Sequence, residues 1–300
     1  MKYKNSLYLI AILVGFSSCE NDNSPKGNIL LSIDGQTYRM DDNLALYKLM
    51  PFKNFSALNA RWSPNGKKIV FSTNKNSSTS GPSLYIMDSD GQNARPLSEL
   101  SDGSPLPGYA PAWSPDGKNI VFALCLCEGG GYAELYIMNL ESKNISQLTN
   151  NNYPDGLPQW SPDGSTIIFQ SSDKDSIGAV NLYSINPSNN QESQITFNRG
   201  RTATWNSDGS YLAYYSINDT SVHIMNYATM QDSSTIRIVL GNEILSPVMA
   251  WSADDSAILF ISNTTDGSAQ QHLNQLDLKS HTIKRLLENL DHVSWIDILK

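Results

Sequence analysis

Three carboxylates crowd one stretch of the sequence: Glu128, Glu134 and Asp155. Carboxylates on neighbouring loops are what general acid–base chemistry needs, one protonated to donate and one ionised to accept. Interleaved with them are Tyr109, Tyr132 and Tyr153, whose rings suit stacking on a sugar or anchoring a protein interface. Arg199 and Arg201, with Gly200 between them, add a positive spot. These eight residues form the candidate ligand-binding set. The rim of an acidic protein shows carboxylates in any case, so the set points to binding and assigns no reaction.

Other chemistry finds little support. Gly129-Gly130-Gly131 is followed by neither a lysine nor a helical pattern, so it is not a phosphate-cradling loop. No Gly-x-Ser-x-Gly elbow and no His-Glu-x-x-His motif occurs. The four histidines, His223, His272, His281 and His292, are spread along the C-terminal third. Cys125 and Cys127 are two apart, on one face of a strand, with no second pair to complete a zinc site. Two thiols packed among apolar neighbours are the expectation, a strained disulfide the alternative. No catalytic residue, metal or cofactor is expected.

A repeat must position these residues. The six tryptophans, Trp62, Trp113, Trp160, Trp205, Trp251 and Trp295, follow one another at spacings of 51, 47, 45, 46 and 44. After the first three comes Ser-Pro-Asn/Asp-Gly, a hairpin-closing turn in which proline presets φ and glycine supplies a left-handed conformation. Asn206-Ser207-Asp208-Gly209 loses the proline, and Ser252-Ala253-Asp254-Asp255 loses the glycine as well. Apolar runs such as Ile69-Val70-Phe71 and Ile120-Val121-Phe122 follow, then Leu84-Tyr85-Ile86-Met87 and its counterparts, then a more polar strand. Four strands per repeat of this length make one propeller blade.

The fold expected is therefore all-β, a six-bladed β-propeller whose last blade is closed by N- and C-terminal strands. Trp295 supplies the inner strand of that blade. Ile29-Leu30-Leu31, Leu46-Tyr47-Lys48-Leu49 and Phe55-Ser56-Ala57-Leu58 are read as its other three. The turns then share one rim. The opposite face collects the loops that precede each tryptophan strand and those that join second to third strands, Asp34–Asn43 among them. Loops of varied composition on a repeating scaffold are where binding is expected.

Ahead of the ring, Lys2 and Lys4 precede an apolar stretch from Leu7 to Phe16, too short to span a bilayer. Ser17-Ser18-Cys19 follows and resembles a bacterial lipobox, with Phe16 where leucine is usual. Residues 1–18 are thus read as a lipoprotein signal peptide, Cys19 as the lipidated residue, 19–26 as a tether and 27–300 as the propeller. Across the chain 21 basic residues face 29 acidic ones, a formal charge of −8, which excludes a nucleic-acid footprint. Charged residues reach only 17%, against about 25% in an average soluble domain, in keeping with strands buried on both faces.

The unit Trp-Ser-Pro-Asp-Gly, apolar strand, Leu-Tyr-Ile-Met, then Gln147-Leu148-Thr149 resembles the WD40-like β-propeller repeat of the TolB family over about residues 27–300. The resemblance implies six blades and a protein-binding role at the bacterial envelope. TolB itself carries a further domain before the propeller, for which the ten residues from Cys19 to Ile29 leave no room. The expectation is a monomer anchored by its lipid to the outer membrane, periplasmic or surface-exposed, that binds an envelope protein or a glycan without catalysis. Some lyases acting on pectin fragments have related repeats and hold a metal with clustered histidines. A metal-assisted lyase or hydrolase of polysaccharide fragments is therefore the alternative, although His281 falls in a hairpin on the opposite face from His272 and His292.

Overall fold

A computed structural model of the chain describes residues 29–49, 56–74, 81–125, 132–172, 180–197, 199–238, 240–241 and 243–299. The signal and tether readings, Cys19, Cys127, Glu128 and the glycine triplet lie outside these residues. The described residues hold twenty-four strands in six four-stranded sheets and no helix.

Blade 1 joins the two ends of the ring, in the order β24 (Val293–Ile298), β1 (Ile29–Ile33), β2 (Gln36–Met40) and β3 (Leu46–Lys48). Blade 2 runs from β4 (Leu58–Trp62) through β5 (Lys68–Thr73) and β6 (Ser83–Asp88) to the short β7 (Arg95–Pro96). Blade 3 contains β8 (Tyr109–Trp113), β9 (Asn119–Cys125), β10 (Ala133–Asn139) and β11 (Ile145–Gln147). Blade 4 contains β12 (Asp155–Trp160), β13 (Ile167–Ser172), β14 (Val180–Ile185) and β15 (Glu192–Gln194). Blade 5 is built from β16 (Gly200–Trp205), β17 (Tyr211–Ser216), β18 (Ser221–Asn226) and β19 (Gln231–Arg237). Blade 6 ends the series with β20 (Glu243–Trp251), β21 (Ala257–Thr264), β22 (Gln271–Asp277) and β23 (Ile283–Leu290).

The second strand of each blade is buried on both faces, which is why its sequence is apolar without alternation. Ile69, Val70 and Phe71 are fully buried, as are Ile120, Val121 and Phe122. Odd and even members serve different interfaces. Val70 packs with Ile120 and Phe122 of blade 3, while Ile69 and Phe71 pack with Leu30 of blade 1. In blades 2, 3 and 4 the phenylalanine also meets a third-strand tyrosine, Phe71 with Tyr85 at 5.9 Å, Phe122 with Tyr136 at 6.1 Å and Phe169 with Tyr183 at 5.9 Å between ring centroids. A ring of such layers has no open sheet edge facing its neighbours.

The turns are built by serine as much as by proline and glycine. Ser114 Oγ donates to Asp116 at 2.6 Å and accepts the Asn119 N–H at 2.9 Å, and the same pair of bonds recurs at Ser161 and Ser252. In blade 5, Asn206 performs both tasks with its amide, so the degenerate sequence keeps the geometry. Prolines lock blades together: Pro64 packs on Gly117, Pro115 on Gly164 and Pro162 on Gly209 of the next turn. Gly209, at φ +76°, takes a conformation that side chains rarely adopt, and a Cβ there would crowd the Pro162 ring at 3.1 Å. Where Ser207 replaces the proline, the next turn has Asp255 instead of glycine, and its carboxylate accepts the Ser207 N–H at 2.9 Å and its hydroxyl. One inter-blade contact has been exchanged for another.

Two expectations for blade 1 are corrected. Its third strand is β2, hidden from a search for apolar runs because Gln36-Thr37-Tyr38-Arg39-Met40 alternates. Asp34 and Gly35 both have positive φ, 47° and 68°, the geometry of a two-residue hairpin turn, so Asp34–Asn43 is not one long loop. Leu46–Lys48 is then the outer strand, and Leu58 opens blade 2. Phe55 lies outside the described residues. The second correction concerns Trp295. Trp62 pairs with Ile69 and Trp113 with Ile120, whereas Ile298 pairs with Ile29 at the equivalent place and Trp295 pairs with Ser32. Five tryptophans mark the repeat; the sixth stands three residues upstream of it.

Cys125 is disulfide-bonded, with a partner outside the described residues. The reading of two packed thiols is overturned for this residue.

Candidate functional site

The loops between blades and between second and third strands gather on the face opposite the turns. Glu134, at the start of β10, and Asp155, at the start of β12, do come together there, but inside the wall. Glu134 is 7% and Asp155 1% exposed. The Thr149 hydroxyl donates to Glu134 Oε2 at 2.8 Å, and the Asn151 N–H donates to Oε1 at 2.8 Å. The Asn151 amide donates to Asp155 Oδ2 at 2.9 Å, and the Ser171 hydroxyl also bonds this carboxyl. Burial is the main cause that raises both carboxyls above their ordinary range, and the two are hydrogen-bonded to each other. Asp155 Oδ1 is buried without a well-formed bond to any donor. Two carboxyls buried side by side are costly to ionise together, and no lysine or arginine stands among their bonded partners.

The same connection recurs with other chemistry. In blade 4, Asn181 stands where Glu134 stands, accepting the Arg199 N–H at 3.0 Å and the Thr196 hydroxyl at 3.3 Å. In blade 6, His272 Nδ1 accepts the Asn289 N–H at 3.1 Å. In blades 3 and 4 the polar second residue of the third strand is therefore a latch that fixes the loop leading to the next blade, whereas His272 in blade 6 holds the outer strand. Glu134 serves the fold, and the acid–base pairing read from residue types is absorbed into it.

The remaining candidates separate. Tyr109 is half-buried with Gly156 beside its ring, and burial followed by the Asp155 charge raises its hydroxyl. Tyr153 is half-buried, its N–H held by Asn151 at 2.7 Å. Arg199 takes a left-handed backbone, φ +56°. Arg201 lies beside Tyr215, with a buried Nε that has no partner. Tyr132 stands out from the surface at 51% exposure. Two side chains that the sequence reading missed share this face: Phe197, 80% exposed in the loop between blades 4 and 5, and Ile244, 59% exposed at the start of β20. The signal for Phe197 was there, because Gln194-Ile195-Thr196-Phe197 places an aromatic ring where Gln147-Leu148-Thr149-Asn150 has a polar residue. Ile244 has no such signature.

Two of the four histidines, His223 and His272, are buried and partnered, and His281 and His292 are exposed. His223 is buried between Asp232, 2.7 Å from Nδ1, and Asp219, 3.0 Å from Nε2, and it stacks on Tyr214. His272 Nε2 points toward Glu243 at 3.7 Å, whose carboxylate is clamped by Arg285 at 2.6 Å. Among the described residues, no group of three or more His, Cys, Asp or Glu side chains is arranged to hold a metal ion.

The channel at the centre of the ring is filled by Trp295. It borders a void of about 10 Å³ together with Leu157, Gln159, Thr202 and Ala203 from blades 4 and 5. The Arg61 guanidinium stands over its ring, 4.4 Å from the centroid, and pairs with Asp297 at 3.0 Å.

Comparison with known proteins agrees with this architecture. The profile of the TolB beta propeller domain matches residues 104–295. The crystal structure of TolB from Acinetobacter baumannii superimposes with a TM-score of 0.70 at 19% identity, over 91% of this chain and 66% of that one. An oligogalacturonate lyase in complex with manganese superimposes with a TM-score of 0.58 at 14% identity, over 88% and 74% of the two chains. The Bacillus subtilis (strain 168) uncharacterized peptidase YuxL is 26% identical over 129 residues, 32% of this chain but only 19% of that protein. The chain thus spans a small part of the curated relative that it matches.

Proposed function

The chain belongs to the TolB β-propeller family, and from that premise we propose that it is a lipid-anchored binding module of the bacterial envelope, taking a protein or glycan on its loop-rich face without catalysis. The observation that carries this reading is the exposure, on one face, of Tyr132 in blade 3, Phe197 between blades 4 and 5, and Ile244 in blade 6. Large apolar side chains gathered at one rim mark interaction surfaces, and aromatic ones are favoured anchors. The side chains best suited to acid–base work, Glu134, Asp155, His223 and His272, are engaged in bonds between strands and loops. The positive contribution of Arg199 and Arg201 beside Phe197 favours a partner with acidic groups. Anchoring through Cys19 belongs to the same proposal.

The test is a screen of the purified ring against an oligosaccharide panel and against envelope proteins, followed by Tyr132→Ala and Phe197→Ala. Saturable binding that drops at least about tenfold in either variant, with an unchanged melting curve, is the expected result. Turnover of an oligosaccharide, with or without added manganese, overturns the binding-only reading in favour of a polysaccharide-fragment lyase or hydrolase. Labelling with a radioactive fatty acid, lost in Cys19→Ala, checks the anchor.

A further inference from the structure

The mouth of the central channel on the turn face is a cavity of about 290 Å³ to which every blade contributes. Its walls set the rings of Trp62, Trp160, Pro64, Pro115 and Pro162 beside the polar groups of Ser63, Asn206 and Ser207. Its floor is the ring of residues one step before each repeat tryptophan or its equivalent: Arg61, Ala112, Gln159, Thr204, Ala250 and Asp297. Four of these six are neutral, and the other two are the Arg61–Asp297 pair.

The two partners of that pair are not equally satisfied. Asp297 receives Arg61 Nη1 on Oδ1 at 3.0 Å and the Trp62 N–H on Oδ2 at 2.8 Å, so both oxygens are engaged. Arg61 makes that single hydrogen bond, and its Nε is buried with no partner. A guanidinium carries a fork of N–H donors suited to a planar carboxylate, and leaving them unmet away from water is costly. Trp295 covers one face of the guanidinium. What the floor lacks is an acceptor, and the tryptophan and proline rings above it offer apolar surface to whatever carries one.

We propose that the channel mouth is a binding site for a small organic carboxylate with an apolar body, its carboxylate seated on the unspent donors of Arg61. The site lies on the face opposite the loop-borne surface, so either assignment stands or falls without the other.

The experiment is a titration with benzoate followed by tryptophan fluorescence and calorimetry, with benzyl alcohol and inorganic phosphate as probes lacking the charge or the ring. Saturable benzoate binding is expected, at least about tenfold stronger than either control. Arg61→Gln is expected to weaken it by at least about tenfold, while Asp297→Asn, which keeps an acceptor for the Trp62 N–H and removes the competing anion, tightens it. Arg61→Lys, which keeps the charge and loses the fork, serves if Arg61→Gln does not fold, and is expected to weaken benzoate as well. Tyr132→Ala is expected to leave binding unchanged. No saturable binding at millimolar benzoate, phosphate binding equal to benzoate, or undiminished affinity in a folded Arg61 variant overturns the proposal.

Discussion

At the scale of single residues, charge is placed in two opposite ways. The turn aspartates are exposed and accept several hydrogen bonds each; those from Ser252 and Ser256 hold Asp254 down to about 2. A lowered folded value adds stability that is present above the unfolded carboxylate range and lost as pH falls through the folded value. Glu134 and Asp155 work in the other direction. Their raised values add stability that is complete below the unfolded range, near about 4, and lost as pH rises through the folded values. Glu134→Gln leaves one carbonyl oxygen to accept from both Thr149 and Asn151, as Asn181 Oδ1 takes two donors in blade 4, and turns a permanent N–H toward Asp155. The variant is expected to melt about 2–4 °C above the parent at mildly alkaline pH, with the two curves converging at about pH 4. A melt series across pH decides it; a gain that persists in acid would mean that ionisation of the buried carboxyls is not its source. Trp295→Ala removes the ring that fills the channel and is expected to cost about 3–5 kcal/mol in denaturant unfolding.

At the scale of elements, the turns show how a repeat drifts without losing its contacts. Pro162 on Gly209 and Ser207 on Asp255 occupy equivalent places in the ring, one an apolar packing and the other a hydrogen-bonded pair. Ser207→Pro alone removes the N–H that Asp255 accepts, and Asp255→Gly alone removes the acceptor. Each single change is expected to destabilise, by roughly 0.5–1 kcal/mol, and the double variant to recover most of the loss as the proline–glycine packing reforms. Additive losses in a double-mutant cycle would contradict this account. The inner strands carry another shared device. Asn59, Ala110, Leu157 and Thr202 all have positive φ, 45–52°, three residues before a tryptophan, and each sits at a break in pairing with the second strand. These bulges bend the strand as it passes the channel. Such bends left no mark in the sequence, because four different side chains occupy the position and the constraint is on the backbone. Tryptophan and turn were legible because each repeat needs them at its own hairpin. The alternating β2 and the displaced Trp295 were not, since blade 1 is assembled from distant segments with no tryptophan turn between them. Latch residues such as Glu134 were visible as types but not as roles, because their partners lie in the loop leading to the next blade.

At the scale of the whole molecule, closure depends on one strand. β24 pairs with β1 along its length, and Asp297 reaches past it to the backbone of Trp62 and to Arg61 in blade 2. Leu299 packs on the turn of blade 2, against Gly66, where other blades place a proline. Removing residues 290–300 is expected to open the ring and to replace one cooperative melting transition by a broad or split one; an unchanged transition would refute closure by this strand. The position of the seam gives the molecule a polarity. β1 starts, and β24 finishes, at the turn face, so any segment joined to the ring at either end leaves from that side. An anchor at Cys19, ten residues from Ile29 and hence within about 35 Å of it at full stretch, would hold the channel mouth toward the bilayer and turn Phe197 and Tyr132 outward. A probe fused at either end should likewise leave the far face unobstructed, so a sensor surface grafted through the N-terminus would present the loops, not the turns, to whatever flows over it.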